Sequence, residues 1–147
     1  MASSMVTETR ITPELRAWLM EELRFPVMAT IGKDCMPKLS VIWFDLHPDR
    51  DDVVLLNTLA GRVKDRQLRR DPRVSLCFED GYEYMTLEGT VTLREDHDFM
   101  DIERLRDHYA DDSDFRTQGA ERVSLLLSVR RVLTHFERLQ GLPASEG

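Results

Sequence analysis

The sequence predicts a mainly-β fold with flanking helices, in which a six-stranded antiparallel sheet rolls into a small barrel. Three observations predict it. Six strand-like segments, 27–31, 37–45, 53–57, 74–79, 84–94 and 122–136, are separated by polar turns. Two of them alternate cleanly: Met85, Leu87, Val91 and Leu93 share one face of the fifth, and Val123, Leu125, Leu127 and Val129 share one face of the sixth. The links Gly32-Lys33-Asp34 and His47-Pro48-Asp49-Arg50-Asp51 are short, which favours a meander over parallel crossovers. Closing such a sheet into a barrel also removes exposed edges.

The helices follow from local chemistry. Thr12-Pro13-Glu14 combines a capping hydroxyl, a proline at the first helical position and an acid in the first turn. Leu15, Trp18, Leu19 and Leu23 then recur at helical spacing, and Phe25-Pro26 ends the segment. A second amphipathic helix is expected over 97–109, capped by Asp96 and buried through Phe99, Ile102, Leu105 and Tyr109, with a polar loop over 110–118. The 147 residues suit a single domain, 1–147, with loosely held ends at about 1–10 and 138–147. No apolar run approaches the ~20 residues of a membrane span, and no secretory signal pattern opens the chain, so a cytoplasmic location is expected. Cys35 and Cys77 lack ligand-like spacing and read as free thiols, and the four histidines are scattered, so no metal site is expected.

Charge is unevenly placed. The stretch 62–73 holds Arg62, Lys64, Arg66, Arg69, Arg70 and Arg73 against Asp65 and Asp71, a local +4 on a chain of net −7, so the remainder carries −11. A positive island on a negative body suggests one bound anion, because the remaining surface repels nucleic acid and anionic lipid alike. The island follows the apolar run 53–56 and the turn-like 57–61, where a strand would meet a helix start. There the unpaired first-turn N–H groups and the helix dipole favour phosphate, Gly61 permits close approach and Thr58 offers a hydroxyl. On a regular helix Lys64 points away from Arg62, so the two can share one phosphate only if Arg62 lies before the helix. The same run also reads as a solvated face paired with neighbouring acids.

Three segments in order, 27–31 with the strand 37–45, then 57–76, then Asp80-Gly81-Tyr82-Glu83-Tyr84 through Glu88-Gly89, resemble the split-barrel family of pyridoxamine 5′-phosphate oxidase-like flavin and deazaflavin oxidoreductases. The resemblance covers most of 12–136. Its most specific part, 62–76, is similar to the subgroup associated with the deazaflavin coenzyme F420, with Gln67 where asparagine is expected. The resemblance implies a split β-barrel in which Arg62 and Lys64 hold the cofactor phosphate and Thr58 lies near the cofactor. Lys38, Ser40, Val41 and Trp43 would run beside the planar ring, and Tyr82 would come from the other subunit of a homodimer with sites at its interface.

The implied activity is hydride transfer between F420 and an unsaturated small organic substrate. FMN on the same fold is the nearest alternative, and a noncatalytic cofactor or tetrapyrrole binder is a further one. A cationic anchor at one end and a flat apolar slot at the other suit a phosphorylated tricyclic ring. Hydride chemistry belongs to the cofactor, so no catalytic side chain is assigned; Tyr84 or a water could supply a proton. Trp43 and Tyr84 read equally well as strand residues packed in a core or interface. Signatures of hydrolases, P-loop NTPases, dinucleotide-binding folds and zinc peptidases are absent, and no nucleic-acid recognition motif accompanies the basic run.

Overall fold

The computed structural model describes residues 6–136. Eight strands and three helices follow one another as β1 (Val6–Glu8), α1 (Pro13–Met20), β2 (Val27–Ile31), β3 (Pro37–Val41), β4 (Asp45–Leu46), β5 (Val53–Leu59), α2 (Val63–Arg70), β6 (Arg73–Asp80), β7 (Glu83–Glu95), α3 (Met100–His108) and β8 (Arg122–His135). Every strand pairing is antiparallel, in the order β3-β2-β6-β7-β8-β5-β4, with β1 added to the far half of β8. The expected loose end at 138–147 lies outside the described residues, whereas Val6–Glu8 within the expected loose start pairs with Val132–Thr134.

The expected second strand, 37–45, is split, and the split shapes the fold. Residues 42–44 leave the sheet, so β3 and β4 stand at opposite ends of the strand order while Val41 and Asp45 are only four residues apart. Four residues span at most about 14 Å, so the sheet must curl until its two ends nearly meet. The result is a split barrel whose ladder does not close, and the expectation that closure removes the edges is corrected: β3 and β4 are both terminal strands. The crossing is anchored by Ile42 N donating to Pro26 O at 3.1 Å and Phe44 N donating to the Tyr109 hydroxyl at 3.2 Å. Phe44 is fully buried edge-on against Phe78, their ring centroids 4.7 Å apart.

The helix starts behave as their residues dictate, with two corrections. Thr12 Oγ1 accepts from Leu15 N at 3.3 Å and α1 buries Leu15, Trp18 and Leu19, but the helix stops at Met20, so Leu23 falls beyond the stripe and is exposed. The single helix expected over 97–109 is broken: His97–Phe99 form one 3₁₀ turn, with Asp98 and Phe99 both left-handed, before α3 begins. Asp96 still caps α3, its carboxylate accepting from Asp101 N and Ile102 N at 2.9 Å each.

The barrel interior is the main core, and a smaller cluster of Val53, Leu55, Ile102, Leu105, Phe115 and Leu126 seats α3 on the outside of β5 and β8. A register shift after Glu88 bends β7 against β8. Gly89 sits at that bend with Ser128 O 1.9 Å from where a Cβ would stand, so only glycine permits the approach.

Candidate functional site

β5 ends at Leu59, and the turn to α2 is fixed by Ala60 N donating to Glu121 O at 2.9 Å and by Gly61 at φ 78°. Asp65, buried in the first turn of α2, reaches back to accept from Gly61 N at 2.7 Å and pairs with Arg69 Nε at 2.7 Å. Arg62 is the residue before the helix, extended at φ −72°, ψ 171°, and no side chain caps the helix start. The geometric condition for Arg62 and Lys64 to face one anion is therefore met.

The basic run then divides. Arg66 donates to Gly61 O, Arg69 pairs with Asp65, Arg70 donates to Ile31 O at 2.9 Å and Arg73 holds Asp71 at 2.7 Å. Arg62 and Lys64 have no carboxylate within ion-pair distance among the described residues. Lys64 Nζ donates instead to Ser40 Oγ on β3 at 3.0 Å, and burial, reinforced by the neighbouring Arg62, pushes its ammonium below the usual lysine range.

Both cations line a cleft of about 790 Å³ bounded by β3, the end of β5, α2, α3 and the loop after α3. Lys38, Ser40, Val41, Trp43 and Thr58 line the same cleft, so seven of the eight residues singled out in the sequence come together. Tyr82 does not: it sits in the β6–β7 turn beside Gly81, 88% exposed and outside this chain's cleft. Tyr84 is also elsewhere, stacked on His135 at 5.8 Å, so within one chain it is not placed to deliver a proton.

Part of the cleft lining is apolar and aromatic. Trp43 stacks on Tyr109, centroids 5.1 Å apart and 11° from parallel, and meets Phe115 edge-on. Tyr109 is held by donating to Arg24 O at 2.6 Å while accepting from Phe44 N, and burial pushes its phenol up to about 12. Trp43 is thus both a packed residue and a cleft wall. Leu39 and Val41 on β3 are 67% and 64% exposed, an apolar edge left open by the chain itself.

Sequence reasoning missed Arg122, Asn57 and Asp111. Arg122 opens β8 opposite Leu59 and lines the cleft beside Arg62. Its Nε donates to Asn57 Oδ1 at 2.8 Å, while Asn57 Nδ2 donates to Asp96 at 3.0 Å. Only the β5–β8 register, which a single strand pattern does not reveal, makes these residues neighbours. Gln67, noted for its departure from the resemblance, is buried under the cleft and accepts from Thr30 Oγ1 at 2.7 Å.

The family model of pyridoxamine 5′-phosphate oxidase matches residues 11–136, every element from α1 through β8. The chain belongs to this family. Solved structures share the pyridoxamine 5′-phosphate oxidase-like split barrel at low identity. An F420 reductase matches with a TM-score of 0.71 and 22% identity over 82% of this chain and 98% of its own. A conserved hypothetical protein from Mycobacterium tuberculosis matches at 0.69 and 24%, over 90% of this chain and 89% of its own. A pyridoxamine 5′-phosphate oxidase-related, FMN-binding protein from Nostoc punctiforme matches at 0.59 and 18%, over 87% of this chain and 80% of its own. Among the described residues of this family member, no helix is long and apolar enough to cross a membrane.

Proposed function

We propose that the cleft binds a phosphorylated flavin-type cofactor, F420 in preference to FMN, and that the protein is an oxidoreductase acting on an unsaturated small organic substrate. The observation that carries this is the pair Arg62 and Lys64, unpaired by acids among the described residues, at the uncapped start of α2 and in the lining of a cleft with an aromatic wall. The donor set fits a phosphate: a guanidinium, an ammonium and free first-turn N–H groups converge where the helix dipole is positive. Family membership and the likeness of fold to an F420 reductase and an FMN-binding protein support a flavin-type ligand, and the 62–76 segment favours the deazaflavin.

A bound cofactor of this class supplies hydride transfer. Arg62 and Lys64 would hold its phosphate, the Thr58 hydroxyl would lie nearby, Lys38, Ser40 and Val41 on β3 would hold the ring, and Trp43 would exclude water. The open edge of Leu39 and Val41, with the exposed Tyr82 turn, suits a homodimer in which a second copy covers β3 and brings its own turn to the ring.

The test is a parallel fluorescence titration of the purified protein with F420 and FMN, repeated on Arg62→Ala and Lys64→Ala. Tight F420 binding lost in both variants supports the reading. Selective FMN binding moves the chemistry to the flavin, and binding of neither removes the cofactor reading.

A further inference from the structure

The cleft carries more positive charge than one phosphate needs. Arg62, Lys64 and Arg122 all line it, Lys38 is paired with Asp34, and the one acid in the lining among the described residues, Asp111, accepts from Ser113 N at 2.8 Å. A phosphate monoester carries about −1.5 to −2 at neutral pH and a diester only about −1, so three clustered cations leave charge uncompensated.

Arg122 is held as a presented group. Its Nε is engaged by Asn57 Oδ1, and its guanidinium lies 5.0 Å from the Phe115 ring centroid. Asn57 is oriented by Asp96, whose oxygens are already committed to Asn57, Asp101 N and Ile102 N. No carboxylate among the described residues lies within ion-pair distance of Arg122. With Nε committed, the two terminal nitrogens form the fork that matches a pair of anionic oxygens. Burial lowers the basicity of Arg122, Asp96 opposes this and Arg62 adds to it, so a second anion beside Arg122 would relieve a cost already present in the folded chain.

We propose that Arg122 is a second anion-binding residue of the cleft, taking a carboxylate or phosphate oxygen pair carried by the ligands in addition to the phosphate at Arg62 and Lys64. The assignment rests on the cofactor reading above. The second anion belongs either to the cofactor beyond its first phosphate or to the substrate, and the same chemistry serves both.

The experiment titrates wild type, Arg122→Gln and Arg122→Lys with F420, which carries carboxylates beyond its phosphate, and with FMN, which does not. Benzoate is then added to each cofactor-saturated protein. Thermal melts confirm that the variants fold. If the anion is the cofactor's, Arg122→Gln weakens F420 about tenfold or more and FMN by less than about threefold, with partial recovery in Arg122→Lys. If it is the substrate's, both cofactors bind unchanged and benzoate binding, present in wild type, is lost in Arg122→Gln. Equal weakening of F420 and FMN would make Arg122 a third contact to the shared phosphate and overturn the proposal, as would no change in any titration. Should wild type bind neither cofactor, the cofactor reading alone fails; benzoate binding to the bare chain that needs Arg122 would still support the anion site, and its absence would overturn it.

Discussion

The two ends of α2 carry the same kind of charge and use it differently. Toward the C-terminal end Arg66, Arg69, Arg70 and Arg73 are spent on the fold, each meeting a carbonyl or carboxylate of its own neighbourhood. At the N-terminal end Arg62 and Lys64 meet no acid among the described residues, and Lys64 is partly buried near another cation. Side chains paired within a fold are inexpensive to keep, whereas unpaired and desolvated ones cost stability and persist where a ligand offsets that cost. A run of arginines read as one feature in the sequence is thus two: a structural half and a half free for a ligand.

The largest expected effect tests that division directly. Lys64→Met should raise the cofactor dissociation constant by about 10- to 150-fold, the loss of one charge-assisted phosphate contact worth about 1.5–3 kcal/mol. It should leave the melting temperature equal or higher, because the desolvated ammonium is gone. Arg69→Met should do the reverse, losing about 0.2–1 kcal/mol of stability with affinity unchanged. Equal effects of the two variants on affinity, measured by the same fluorescence titration, would dissolve the contrast between the ends.

Next in size is Asp65, which joins the halves by holding Gly61 N and Arg69 from a buried position. Asp65→Ala should cost about 1–3 kcal/mol by leaving the Gly61 N–H without its acceptor, and should weaken cofactor binding as well, since the turn that positions Arg62 loses its tie. Urea denaturation and cofactor titration of the one variant read both. Lost stability with intact affinity would show that the turn holds Arg62 without Asp65.

How far the sequence foretold this depends on the reach of each signal. The strand-to-helix turn ahead of the basic run was legible because the apolar run ends at Leu56 and Gly61 marks the turn, both local cues, whereas the place of Arg62 before the helix stood only as a condition that the backbone then met. The barrel was legible from alternation in β7 and β8. The break at 42–44 was not, since Ile42, Trp43 and Phe44 read as strand and leave the sheet only because Phe44 is drawn into the core and its N–H to Tyr109. The left-handed pair Asp98 and Phe99 has no glycine or proline to announce it. Arg122 was missed because its neighbours Asn57 and Arg62 are set by the β5–β8 register, a nonlocal fact.

The smallest effect separates the two ends by pH. The Arg73 guanidinium, with further help from backbone bonding and Arg70, holds the Asp71 carboxyl at about 2, below its ordinary 3.8. The folded state therefore binds fewer protons than the unfolded chain in that range, and the pair's contribution is present above about pH 4 and lost as pH falls toward 2. Arg73 is exposed and Asp71 half-buried at the surface, so the effect should be slight and should shrink in about 1 M salt. Lys64 is also shifted down, but for a cation this means the charged form is disfavoured: its cost stands at neutral pH and is relieved as pH rises through the lowered value toward 10.5. Stability curves of wild type minus Arg73→Gln should thus slope only in acid, and wild type minus Lys64→Met only in alkali. A Lys64 difference that worsens with rising pH would mean that the ammonium is stabilised by the fold, and the N-terminal half of α2 would then be structural like the other.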